Sequence, residues 1–178
     1  MTMLDAIVGY GGVSRNNFLK IMRHILLPAS LLMIGALAAE PTASPQFVRV
    51  APADVRWHDV PGGHGVLMAT LAGDPDKPGL YVIRVKFPPH VMDVPHWHPN
   101  ARYVTVLEGT WYTGTGTTFD LARAVPLSPG SLMVHPARAP HWDGSASNES
   151  VTVQIIGDGP GSTTQVDPKQ PFWIEVSR

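Results

Sequence analysis

The chain has 178 residues, with 13 Lys or Arg against 14 Asp or Glu, a formal net charge of −1 and no cysteine. A nearly neutral chain without a basic cluster argues against nucleic acid as a partner. Because cysteine is absent, the chain can form no disulfide, and any metal would have to be held by nitrogen and oxygen ligands.

The N-terminal segment is predicted to be an export signal. Basic residues precede an apolar stretch of 15 residues at 25–39, and Ala36-Leu37-Ala38 fits the small-x-small pattern of signal peptidase sites. A membrane span needs about 20 apolar residues, so a permanent anchor is the weaker alternative. We expect residues 1–38 to be removed, with Met22 as an alternative start, leaving a periplasmic or secreted bacterial protein without a stable membrane span.

The mature part of the chain is predicted to be one all-β domain. Taking residues 1–38 from 178 leaves 140, which is enough for a single core, and there ten Lys or Arg face thirteen Asp or Glu, a charge of −3. Regular Gly and Pro punctuation between β-branched and aromatic segments predicts a sandwich or barrel with few short helices. The predicted strands are 55–60, 66–72, 80–87, 103–112, 131–134, 151–156 and 172–176, with arms at 39–46 and 157–171.

Two histidines one residue apart stand just before the predicted strand at 103–112. On a strand, His96 and His98 would project from one face, about 6 to 7 Å apart, and Trp97 from the other. Two imidazoles on one face can converge on one ion. By itself this pattern is weak, because half-exposed histidines near a strand end would show it too.

A second stretch, residues 127–144, contains Pro-Gly, a short apolar run, His135-Pro136 and Pro140-His141. Together the two stretches resemble the paired motifs of the cupin superfamily, G-x5-H-x-H-x3-4-E-x6-G and G-x5-P-x-G-x2-H-x3-N. Six of the ten marked positions agree: His96, His98, Gly109, Gly130, Pro136 and His141. The four departures are His90 and Arg138 at glycines, Arg102 at the glutamate and Ser145 at the asparagine.

The resemblance covers about residues 66–156 and implies a small double-stranded β-helix, that is, a jelly-roll barrel. It also implies that His96, His98 and His141 are ligands of a divalent transition metal: iron, manganese, nickel, copper or zinc. The usual anionic ligand is missing. Arg102 cannot replace it, because a guanidinium has no lone pair to offer.

Three further residues are candidates for catalytic roles. Arg102 would clamp a substrate carboxylate, or would be a surface ion-pair partner. Tyr103 would supply a proton or a fourth ligand, although core packing is the simpler interpretation, and strand alternation lets only one of these two neighbours point inward. Gln154 would orient water or substrate, or face solvent. For His135, packing or solvent exposure is the expectation.

The leading functional hypothesis is an exported cupin that acts on a small molecule, with a dioxygenase-like reaction implied by the resemblance. A non-catalytic binder of metal or small ligand is the alternative, favoured by the loss of the glutamate, and a metal-free structural barrel is the third. A nucleophile elbow and a dinucleotide fingerprint are both absent from the sequence. Because cupins are often dimers, a homodimer is also an open expectation.

Overall fold

A computed structural model describes residues 46–177 of the chain. The predicted export signal and nearly all of the N-terminal arm lie outside this part. Within it, the chain forms 13 strands and two 3₁₀ helices of one turn each, Pro52–Asp54 and Leu121–Arg123. Over these residues we find no helix with the length and apolar character that a membrane crossing requires.

The strands form two antiparallel sheets. The strand bounds are β1 His58–Asp59, β2 Leu67–Ala72, β3 Gly79–Phe87, β4 Val91–Asp93, β5 His96–Trp97, β6 Arg102–Glu108, β7 Trp111–Thr115, β8 Val125–Leu127, β9 Leu132–His135, β10 His141–Gly144, β11 Val151–Gly159, β12 Thr164–Gln165 and β13 Trp173–Glu175. The six-stranded sheet has the order β1-β2-β3-β11-β6-β9, and the second sheet has the order β12-β5-β10-β4-β13, with β7 pairing both β10 and β8.

The six-stranded sheet buries one face mainly through alternation. On β3 every second residue from Tyr81 to Phe87 is buried, and the residues between them are partly exposed. The same two-residue period buries Val104 and Val106 on β6, whereas on β11 Thr152 is buried together with Val151 and Val153, beside a register shift. This inner face and the inner face of the second sheet enclose the core, so the predicted all-β jelly-roll barrel is confirmed.

The structure corrects two of the predicted segments. The run 103–112 is two strands, because Gly109 turns the chain with φ +72 and leaves no space for a side chain against the backbone of Ser150. The segment 157–171 is more than an arm: β11 continues to Gly159, and β12 follows at Thr164–Gln165.

Candidate metal centre

Strand pairing brings the three predicted histidines together. β10 pairs β5 in antiparallel register with His141 opposite His96, and His98 projects from the same face two residues later. The ring centroids are 4.4 Å apart for His96 and His141, 4.8 Å for His96 and His98, and 5.1 Å for His98 and His141. All three side chains are buried, with 3 to 4% of their surface exposed.

Backbone carbonyls determine which ring nitrogen of each histidine carries the proton. Nδ1 lies 2.9 Å from the Val94 oxygen in His96, 2.9 Å from the Ser162 oxygen in His98 and 2.9 Å from the Ala139 oxygen in His141. A carbonyl can only accept, so Nδ1 must be the donor. In a neutral ring the Nε2 atom then carries a lone pair, which is the orientation typical of metal-bound histidines.

The Nε2 atoms are arranged as ligands would be. Those of His96 and His98 are 3.2 Å apart, and neither has a proton to donate to the other. Two nitrogens held at about 2.0 to 2.1 Å from one ion, at angles of about 90 to 109°, would be separated by about 2.8 to 3.4 Å. Nε2 of His141 is buried without a hydrogen-bond partner. The three residues therefore fit a divalent ion.

Burial keeps these imidazoles neutral. Burial is the largest cause, and together with electrostatic repulsion from neighbouring groups such as Arg102 it lowers the pKa of His96 to about 2 and that of His98 to about 3. The pKa of His141 is lowered by burial as well. At neutral pH the three rings are therefore uncharged, as metal coordination by imidazole requires.

Arg102 points into the barrel, in line with Val104 and Val106 on β6. Its Nη1 lies 3.1 Å from Nε2 of His98, and its guanidinium stands 5.9 Å from the ring centre of Tyr81. Among the described residues, no carboxylate lies within 4.0 Å of its nitrogens. The alternative that Arg102 forms a surface ion pair is therefore not found in the described part of the chain.

Tyr103 and Gln154 lie on the opposite face of the same sheet, away from the candidate metal centre. Tyr103 is 51% exposed, so neither the core packing nor the catalytic position expected from the sequence is found. The Gln154 side chain accepts a hydrogen bond from Arg84 Nε at 3.2 Å, beside the inward-facing Val153 and Ile155. Strand alternation is the physical reason, because the inward position of Arg102 turns its neighbour outward.

Three residues that the sequence analysis did not place in the site belong to its surroundings. His135 on β9 is paired with Arg102 across the strands, and its ring centre is 3.7 Å from that of His141. Neither of its ring nitrogens has a hydrogen-bond partner. Asp93 and Asp143 are also buried. Alternation from His141 to Asp143 was the sequence signal that could have identified Asp143.

The two carboxyl groups form a compact pair beside the histidines. Oδ1 of Asp93 accepts the backbone N–H of Asp143 at 2.6 Å, and Oδ1 of Asp143 accepts from Trp111 Nε1 at 2.9 Å. Burial raises the pKa of Asp143 to about 7, although the Trp111 hydrogen bond opposes this shift. The pKa of Asp93 is also raised well above its usual value, by burial and then by the neighbouring Asp143.

A cavity of about 240 Å³ connects these groups. The four histidines, Asp93, Asp143 and Arg102 line one part of its wall, and Asp76 and Thr163 add two further polar side chains. Most of the remainder is apolar and includes Ile83, Val85, Val104, Trp111, Ile155 and Phe172. An apolar chamber with a few converging polar groups is the form that small-molecule sites usually take.

Comparisons with known proteins agree with this architecture. Germin-like protein subfamily 1 member 17 of Arabidopsis thaliana is 29% identical over 118 residues, which cover 56% of this chain and 53% of that protein. The chain thus spans about half the length of the curated relatives it matches.

Two solved structures show the same fold at low identity. The polyketide cyclase RemF from Streptomyces resistomycificus has a TM-score of 0.61 at 20% identity, covering 71% of this chain and 89% of that one. The DMSP lyase DddQ from Ruegeria pomeroyi has a TM-score of 0.53 at 17% identity, covering 66% and 64%. The family model described as Cupin matches residues 34–175, most of the 178 residues, and the chain therefore belongs to the cupin family.

Proposed function

We propose that this cupin holds a divalent transition metal through His96, His98 and His141 and acts on a small molecule in the adjoining cavity. One observation carries the proposal: each of the three rings donates Nδ1–H to a backbone carbonyl and turns Nε2 toward the others, to 3.2 Å in the closest pair. When bound, the ion would supply Lewis-acid or redox chemistry to the molecule beside it.

The chain's own residues would prepare the site in three ways. The carbonyls of Val94, Ser162 and Ala139 hold the rings in the tautomer and orientation that coordination needs. Burial keeps the imidazoles neutral, so that an ion does not compete with protons for Nε2. The apolar wall would exclude bulk water from a small molecule.

The first test is the metal content of the purified protein, measured by elemental analysis for iron, manganese, nickel, copper and zinc. We expect close to one ion per chain, lost in His96→Ala and retained in His58→Ala, a matched change at an exposed histidine on β1. Circular dichroism checks that both variants fold. Equal metal content in the two variants, or none in the wild type, would overturn the proposal.

The reaction class we favour is dioxygenase-like, in keeping with the cupin resemblance. Oxygen uptake by the metal-loaded protein, screened with small phenols, diketones and thiols, is the measurement. A three-nitrogen face leaves coordination positions free for a small molecule, as in other catalytic sites with three protein ligands. Uptake that depends on His96 would support this class, and uptake unchanged in His96→Ala would contradict it.

A non-catalytic metal or ligand binder is the second candidate. The observation that favours it is Arg102, which stands where the family motif has a ligand glutamate and puts a cation 3.1 Å from a ligand atom. Stoichiometric metal binding without turnover of any screened compound would support this candidate.

Export remains part of the proposal on the strength of the sequence at 1–38. Expression of the full chain in a bacterium, followed by fractionation and N-terminal sequencing, tests it. A periplasmic product that starts at Ala39 supports export, whereas a cytoplasmic product with an intact N-terminus contradicts it.

A further inference from the structure

Arg102 occupies a position where it would compete with a metal ion. Its Nη1 lies 3.1 Å from Nε2 of His98. That nitrogen has only one lone pair, because Nδ1 of the same ring already donates to the Ser162 carbonyl. The lone pair that would bind a metal therefore accepts a hydrogen bond from Arg102, and the guanidinium charge would also repel a divalent ion nearby.

In the described part of the protein, Asp143 attracts the charge of Arg102, but no side chain forms an ion pair with it. No carboxylate there lies within 4.0 Å of its nitrogens. The two buried carboxyl groups are directed elsewhere, Asp93 to the backbone N–H of Asp143 and Asp143 to Trp111. The cavity therefore contains a partly buried cation beside a largely apolar wall. Buried charges are normally paired, which points to an anionic ligand.

Resting on the metal site proposed above, we propose that the cavity binds a small carboxylate with an apolar body, and that carboxylate and metal each strengthen the binding of the other. The carboxylate pairs with Arg102 in the bidentate geometry that guanidinium favours, which neutralises the charge and draws Nη1 away from His98. The freed lone pair of His98 is then available to the ion. In this chain the ligand brings the negative charge that a glutamate supplies in the family motif.

Thermodynamic linkage makes this coupling reciprocal. If the carboxylate increases metal affinity by some factor, the metal must increase carboxylate affinity by the same factor. Couplings between sites are typically 5- to 150-fold, and close contact of both ligands with one side chain places the expected value at about 10-fold or more.

The experiment uses isothermal titration calorimetry of the chelator-stripped protein with Zn²⁺, with and without benzoate. Benzoate is a carboxylate with an apolar ring, and benzamide is its neutral isostere. In the wild type we expect benzoate to tighten Zn²⁺ binding about 10-fold and benzamide to leave it unchanged. Benzoate titrations with and without Zn²⁺ should give the same factor.

Two substitutions locate the coupling. In Arg102→Gln, Zn²⁺ should bind more tightly than in the wild type without benzoate, and benzoate should have little further effect. Arg102→Glu restores the residue type of the family motif, so it should bind Zn²⁺ more tightly still and lose benzoate binding. Arg84→Gln is the matched control, because Arg84 lies on the outer face of the same sheet and contacts Gln154; its coupling should equal that of the wild type. Thermal melts verify folding.

The outcomes separate this inference from the metal proposal. Zn²⁺ binding that is lost in His96→Ala but is indifferent to benzoate overturns the coupling alone. The same holds if benzoate tightens Zn²⁺ binding equally in wild type and Arg102→Gln, since the carboxylate would then act directly on the ion. If the wild type binds no Zn²⁺ either in the absence or in the presence of benzoate, both proposals are overturned.

Discussion

The two sheets of the barrel contribute different things to its interior. The six-stranded sheet is built on long strands, nine residues each in β3 and β11, and its inner face is mostly apolar. The second sheet contributes short strands, two residues in β5, three in β4 and four in β10, which carry the histidines and aspartates. Arg102 and His135, at the β6–β9 end, are the ionisable groups that the first sheet adds to the cavity.

This difference indicates that one sheet contributes mainly to the stability of the fold and the other mainly to ligand binding. Burying apolar side chains stabilises a fold, whereas burying polar groups without full hydrogen bonding destabilises it. His141 on the second sheet has one such unpartnered nitrogen, and His135, at the β9 edge of the six-stranded sheet where its ring contacts His141, has two. We infer that the regular sheet carries most of the stability and that the irregular one is shaped for its ligands.

The largest expected effect comes from comparing one substitution in each sheet, measured by both metal binding and stability. His141→Ala should weaken metal binding more than about 100-fold, since loss of a ligand's supporting partner alone costs 10- to 100-fold. It should change the stability of the metal-free protein little. Val153→Ala, on β11, should lower the free energy of unfolding by about 2 to 3 kcal/mol and leave metal stoichiometry intact. Urea denaturation and elemental analysis of both variants give the answer, and metal loss in Val153→Ala would refute this division of roles between the sheets.

The buried Asp143 on the second sheet should make the stability of the metal-free protein depend on pH. Asp143 has a pKa near 7 in the folded protein against a usual value of 3.8. Between these values the folded state keeps a proton that the unfolded state releases, so this group favours folding at acid pH and loses that contribution as the pH rises to about 7. In the metal-free protein, Asp143→Asn should therefore gain stability relative to wild type from about pH 4 to 7 and then level off.

Urea titrations at several pH values measure this difference. Val153→Ala is the control and should differ from wild type by the same amount at every pH, because it removes no titrating group. The buried histidines act in the opposite direction, since their lowered pKa values favour the folded state as the pH rises toward 6.5. They are present in all three proteins and so cancel in the comparison. A constant difference for Asp143→Asn would contradict the assigned shift.

The smallest expected effect concerns the turns that lead into the short strands. His90 precedes β4 with φ +60, and Arg138 precedes β10 with φ +61; both occupy glycine positions of the family motif. A non-glycine residue in this backbone conformation destabilises the folded state by about 1 to 2 kcal/mol. Glycine removes that strain, but its greater conformational freedom in the unfolded chain offsets part of the gain in stability. Arg138→Gly should therefore stabilise the protein by up to about 1 kcal/mol in thermal or urea melts.

His90→Gly is the parallel test, although it also removes the hydrogen bond between His90 Nε2 and Asn148 Oδ1. Destabilisation of both variants would mean that these side chains contribute more than their backbone conformations cost. The positive φ values are a physical reason for glycine at these two motif positions, because glycine adopts that backbone conformation without strain.

Much of the architecture could be read from the sequence. Regular Gly and Pro punctuation between β-branched and aromatic segments predicted an all-β sandwich or barrel, and the resemblance of the two histidine stretches to the cupin motifs implied a jelly roll. His96, His98 and His141 do meet at one place. The short strands β4, β5 and β10 were absent from the predicted segments, because each is only two to four residues long and mixes strand formers such as Val91 and Trp142 with Asp and Gly, which are depleted in strands. They form because β-partners and the core hold them.

What the sequence determined by itself was periodicity: which residues share a face of a strand, and where the chain must turn. Periodicity does not say which of two faces is buried, since that depends on a second sheet that covers one of them. Only the tertiary structure could place Arg102 inward and Tyr103 outward, turn Gln154 to the surface, and bring His135, Asp93 and Asp143 to the histidines. Those groups come from separate strands, and their proximity depends on pairing and packing across the barrel, which local sequence does not encode.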